Sequence, residues 1–93
     1  MKKHLVISGR VQGVGFRNWL RSMAIKKSIF GWVKNKIMGD VEALIIGDEK
    51  NVKDLIKLCK KGSPLSKVDH VQVNEYKTDY FKKNFDIVKS DKL

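Results

Sequence analysis

The chain has 93 residues, 42% hydrophobic and 32% charged, with a net charge of +10. This length supports one domain over residues 1–93 and one core. No apolar run approaches the roughly 18 residues of a membrane span, and the single cysteine, Cys59, excludes an internal disulfide or a cysteine metal cluster.

His4 and His70 stand far apart with no ligand spacing around them, so no metal site is expected. The opening "MKKHLVIS" has a basic start, but its apolar stretch stops at Ser8. That is short of the roughly 7–15 apolar residues of a secretory signal. A cytoplasmic location is the expectation, compatible with the lone thiol. The charge is unevenly spread. Residues 1–39 hold nine Lys or Arg and no acid, while residues 40–93 hold eleven bases and all ten acids. The early excess points to an anionic partner, or else to a solvated lysine-rich surface.

"HLVIS" (4–8) reads as a short buried strand bounded by Gly9. Phe16, Trp19, Leu20, Met23 and Ala24 then recur at helical spacing, which predicts a helix over 16–27 with this stripe in the core. "IFGWVKNK" (29–36) returns to strand character, with Trp32 assigned to the core and Gly31 marking a close backbone approach or a bulge. A turn at Gly39 leads into a strand over 41–47, which completes a hairpin. Asp48 is placed to cap a second helix whose apolar face is Val52, Leu55, Ile56 and Cys59. Lys57, Lys60 and Lys61 favour its last turn, and Gly62 and Pro64 stop it. Strands at 68–76, with Val71 and Val73 on one face, and at 84–88 finish the chain. The order β-α-β-β-α-β-β is a split βαβ pattern, and it predicts an α+β two-layer sandwich: an antiparallel sheet with two helices on one face and the last strand at an edge.

"SGRVQGVGFRN" (8–18) joins the first strand to the first helix. A helix N-terminus presents unpaired N–H groups and partial positive charge, and anions bind there. Gly13 and Gly15 let the N–H groups of residues 12–17 converge, and Arg17 adds a two-pronged contact for phosphate oxygens. The spacing matches neither of the familiar nucleotide-binding glycine loops. A purely structural glycine turn is the competing reading.

Three stretches resemble the acylphosphatase family. "GRVQGVGFR" (9–17) is similar to its first signature, "GWVKNKIMGDVE" (31–42) to its second, and "GSPLSKVDHVQV" (62–73) to the segment after its second helix. The resemblance spans nearly the whole chain. It implies a ferredoxin-like fold and a metal-independent, cofactor-free hydrolase that cleaves the carboxyl–phosphate bond of acyl phosphates. It implies that Arg17 binds the phosphate, that Asn35 positions the attacking water, and that the loop of Gln12, Gly13, Val14, Gly15 and Phe16 supplies backbone N–H groups. Lys36 departs from the small hydroxyl residue common after the Asn, and is expected to add charge near the phosphate. Met38 replaces an acidic or polar residue before Gly39, and Ser63 separates Gly62 from Pro64.

A small acyl phosphate or a phosphate anion is the expected ligand, and a monomer is expected. Membranes and nucleic acid are not expected partners. An RNA-binding module shares the split βαβ order, but "FGWV" (30–33) is only a faint echo of its aromatic signature. A domain of a carbamoyl-transfer system is the other alternative; the end of the chain at Leu93 without a further module is read against it.

Overall fold

The computed structural model describes residues 1–91. Strands β1 (Lys2–Arg10), β2 (Phe30–Asn35), β3 (Val41–Ile46), β4 (Lys67–Glu75) and β5 (Phe85–Ile87) form one sheet in the order β4-β1-β3-β2-β5. Helices α1 (Phe16–Lys26) and α2 (Glu49–Lys61) cover one face of it. The alternation of strand side chains decides which residues enter the core. Leu5 and Ile7 of β1, Val33 of β2, and Val41, Ala43 and Ile45 of β3 all point to the helices and are fully buried. They meet Phe16, Leu20 and Ala24 of α1 and Val52, Leu55 and Cys59 of α2. Each such large side chain contributes about 1.5–3 kcal/mol by leaving water. Burial pushes the Cys59 thiol up to about 12, so this sulfur is a packing atom and not a nucleophile.

The first four strands are antiparallel, as their order predicts. The fifth is not: Phe85, Asp86 and Ile87 run parallel to Gly31, Trp32 and Val33, which makes the sheet mixed. The cause is the connection. Residues 76–84 leave β4 at one edge and cross the whole sheet before β5 begins beside the start of β2. Lys2 Nζ donates to Thr78 O at 2.6 Å along the way, and Tyr80 Oη donates to Gly31 O at 3.2 Å. The link stays at one end of the sheet, so β5 runs opposite to β4; β4 is itself opposite to β2, and β5 therefore lies parallel to it.

Other differences have local causes. β1 runs past Gly9 to Arg10, because a register shift between Ser8 and Gly9 keeps it paired with the nine-residue β4. Asp48 sits at the N-cap of α2 with no side-chain bond; its carbonyl instead accepts from Val52 N–H at 2.9 Å. Val73 shares the inner face with Val71 but lies beyond the helical layer, 38% exposed. Trp19 packs against the core as expected. Trp32 does not: at an even position of β2 it lies on the open face, partly buried, with Lys34 Nζ 5.8 Å from its ring centre.

That open face carries a polar cluster. His4 Nε2 lies 2.5 Å from Glu42 Oε2, Lys34 Nζ lies 3.5 Å from Glu42 Oε1, and Tyr76 stacks on the His4 ring. Burial pushes the Glu42 carboxyl up. The His4 hydrogen bond and the charges of Lys36, His4 and Lys34 outweigh it and hold the group below its ordinary 4.5.

A lowered carboxyl binds fewer protons folded than unfolded, so its stabilising effect is complete above 4.5 and is lost as pH falls through the lower folded value. Urea midpoints of the wild type should therefore drop below that pH more steeply than those of Glu42→Gln; parallel profiles would refute the cluster's contribution. Gly31 lies where β2 and β3 nearly touch. At φ 139°, an added Cβ would come 1.9 Å from Leu44 O. Gly31→Ala should cost more than about 2 kcal/mol in the same titration, and a near-wild-type midpoint would contradict so close an approach.

Candidate active site

β1 and β2 both run antiparallel to β3, and β5 runs parallel to β2. The C-terminal ends of β1, β2 and β5 therefore meet at one edge of the sheet. Residues 11–15 leave β1 at this edge and feed the N-terminus of α1. Gly13 and Gly15 take φ of 72° and 79°, and a Cβ at either would meet nothing within 4 Å. Glycine is required here for conformation, not for space. Helix α1 has no side-chain cap and no acid in its first turn. Among the described residues, no protein acceptor takes the N–H groups of residues 12–17. These donors and the helix dipole leave a positive concavity at the turn.

A cavity of about 300 Å³ opens on it. Gly13, Gly15, Arg17 and Asn18 form its polar wall, and Val11, Phe16 and Ile87 its apolar one. Arg17 is the second residue of α1, and its Nη1 donates to Ser90 Oγ at 3.4 Å. The other guanidinium donors have no partner among the described residues.

Gln12, Val14 and Asn35 do not line this cavity. Val14 packs on the core from the loop. The side chain of Gln12 does something the sequence did not suggest. Nε2 donates to Lys36 O at 2.8 Å and to Asp40 O at 2.9 Å. It stitches the loop to the β2–β3 hairpin. Asn35 is the last residue of β2, immediately before that hairpin, and points to the helical face. Its Oδ1 is buried and has no hydrogen-bond partner among the described residues. The backbone carbonyl of Asn35 accepts from Asp91 N–H at 3.1 Å.

The flanking lysines lie elsewhere. Lys34 and Lys36 occupy the opposite face of β2, and their ammonium groups lie 3.5 and 4.0 Å from Glu42. The Lys36 ammonium thus lies beside Glu42 and does not line the cavity, where the sequence expectation put added charge. Arg21 is also structural: its Nε donates to Phe85 O at 2.9 Å and ties β5 to α1. Asn18, Ile87 and Ser90 are the neighbours that sequence reasoning missed. Asn18 closes the glycine stretch, and its place in the first helical turn was a usable signal. Ser90 is 73 positions from Arg17 and had none. Among the described residues, no three metal-type side chains cluster, and no helix is long and apolar enough to cross a membrane.

The acylphosphatase family model matches residues 3–87. An acylphosphatase from Acidiphilium cryptum is 46% identical over 69 residues, 74% of this chain and 76% of that protein. The crystal structure of acylphosphatase from Bacillus subtilis superposes with a TM-score of 0.90 at 39% identity, covering 95% of this chain and 98% of that one. Full-length HypF, in its phosphate- and nucleotide-bound form, superposes at 0.87 with 33% identity over 96% of this chain but only 12% of its own. With a ferredoxin-like fold, both signature stretches at one sheet edge and a relative matched end to end, the chain belongs to the acylphosphatase family, hydrolases of acyl phosphates.

Proposed function

We propose that the backbone N–H groups of residues 12–16 and the Arg17 guanidinium hold the phosphoryl group, while Asn35 orients the attacking water. The observation that carries this reading is the uncapped N-terminus of α1 with Arg17 in its first turn. An acyl phosphate brings its own good leaving group, a carboxylate. The catalyst therefore needs mainly to stabilise charge spreading over the phosphoryl oxygens and to align the water in line. Fixed N–H dipoles and a planar cation supply the first need without reorganising. The unpartnered Asn35 Oδ1 suits the second, since an amide oxygen can accept from a water and fix its direction. A neutral amide is a poor base, so the substrate phosphate takes the water's proton.

The chain acts as one unit over residues 1–93, as a monomer in the cytoplasm, on small acyl phosphates and without metal or nucleic acid. The glycine conformations and the buried core support a self-contained site. The excess charge of the first 39 residues supports an anionic substrate.

Acetyl phosphate should be hydrolysed in EDTA, with p-nitrophenyl phosphate as a slow control and kcat showing no enzyme group titrating near pH 7. Arg17→Ala should weaken competitive inhibition by inorganic phosphate and reduce kcat/KM at least about 100-fold. Asn35→Ala should reduce kcat by a similar factor and leave phosphate inhibition intact. Its unfolding free energy should equal or exceed that of wild type, by up to about 1–3 kcal/mol, because the substitution removes a buried acceptor without a partner among the described residues. Full activity of either variant would sink the assignment of roles. A salt-dependent RNA titration with no binding at low salt removes the nucleic-acid reading.

A further inference from the structure

We propose that residues 88–91 form a C-terminal strap that positions both halves of the site, Ser90 setting Arg17 and the Asp91 backbone setting Asn35. This rests on the roles given above to those two residues. The strap begins where β5 ends. Val88 N–H donates to Val33 O at 2.9 Å and Asp91 N–H to Asn35 O at 3.1 Å, so the segment continues along the edge of β2 as far as its last residue. Asp91 Oδ1 then lies 3.0 Å from Lys34 Nζ, on the far side of that strand, and anchors the segment. Between these fixings Ser90 Oγ, half-buried, accepts from Arg17 Nη1 at 3.4 Å. The match to the family model ends at residue 87, so every one of these contacts comes from chain that lies outside it.

The two contacts act on different things. Arg17 projects from a helical turn beside loosely packed glycines. One hydroxyl on Nη1 narrows its rotamers while its remaining donors face the cavity. Asn35 stands at the end of the β2 ladder, where the strand would fray. The Asp91 N–H prolongs the ladder by one bond on the side away from β3 and fixes the backbone that aims Oδ1. Ser90 is therefore a positioning residue for phosphate affinity, and the Asp91 amide is one for turnover.

The test is a split between KM and kcat. Ser90→Ala should weaken inorganic phosphate binding and raise KM for acetyl phosphate about 3–10-fold, with kcat within about twofold of wild type. Ser90→Thr, which keeps the hydroxyl, should restore both. Unchanged or tighter phosphate binding in Ser90→Ala overturns the proposal, because a strap that merely blocks Arg17 predicts tightening. So does a Ser90→Thr variant as weak as the alanine. Asp91→Ala keeps the amide and Asp91→Pro removes it. Proline should lower kcat about 3–10-fold relative to alanine at equal phosphate affinity, and equal kcat overturns the Asn35 half. Phosphate affinity is read directly by phosphorus NMR titration. It decides the Ser90 half even for a chain that turns over no acyl phosphate, an outcome that would refute the proposed catalytic roles alone.

Discussion

Backbone donors at the start of α1 have no acceptor among the described residues, and most of this molecule's architecture serves to hold that unfinished helix end open at one place. A helix entry is usually closed by a Ser, Thr, Asp or Asn side chain. Here the N-cap is Gly15 in a left-handed conformation, and no side chain turns back on the amides. Leaving several donors without partners costs free energy that the core must offset. Phe16, the first helical residue, is fully buried, so the exposed turn is rigidly coupled to the hydrophobic layer beneath it. Gln12 couples it sideways, to the carbonyls of Lys36 and Asp40 on either side of the hairpin turn. The loop and the strand end that carries Asn35 are thereby tied together, a fixed relation that the roles proposed above for them require.

The fate of the positive charge follows from strand parity. Nine basic residues precede the first acid in the sequence, and seven of them are not at the cavity or tied to β5. Lys34 and Lys36 flank Asn35 in sequence, yet alternation sends them to the open face, where Glu42 neutralises part of their field. Among the described residues, only Arg17 brings a full charge into the cavity. In the site proposed above, selectivity for a phosphoryl group would come from directed donors, and the remaining lysines would act only at a distance, through their field.

The elements whose local pattern agrees with their surroundings were legible. The i, i+3, i+4 stripe of α1, the apolar face of α2, the hairpin about Gly39 and the close approach at Gly31 all follow from residues within a few positions of each other. Arg17 and the cradle glycines were legible for the same reason, since a turn and the helix after it form a local unit. What was not legible depends on pairing between distant segments. Composition ends β1 at Gly9, but partnership with β4 carries it on. Trp32 looks like core because it is large and flanked by apolar residues, and only the parity of β2 exposes it. The parallel direction of β5 depends on the path of residues 76–84, and with it goes the meeting of Ser90 and Arg17.

At Asn35 the demands of the fold and of the role proposed above differ. As the last residue of β2 it is held by ladder partners on both sides, Val41 of β3 and the amide of Asp91. Its side chain faces the helical layer, where each neighbour two or four positions back, Val33 and Gly31, is buried without polar atoms to satisfy. A fold optimised for stability would place an apolar residue here, or give the amide oxygen a donor, since a buried unpaired acceptor costs about 1–3 kcal/mol. Lys36, the next residue, cannot supply that donor because parity turns it to the other face. The oxygen is buried, and among the described residues unpaired, at the end of a strand whose backbone is fixed from both edges. That combination does nothing for stability, and it suits the role proposed above for Asn35, an acceptor for one water molecule.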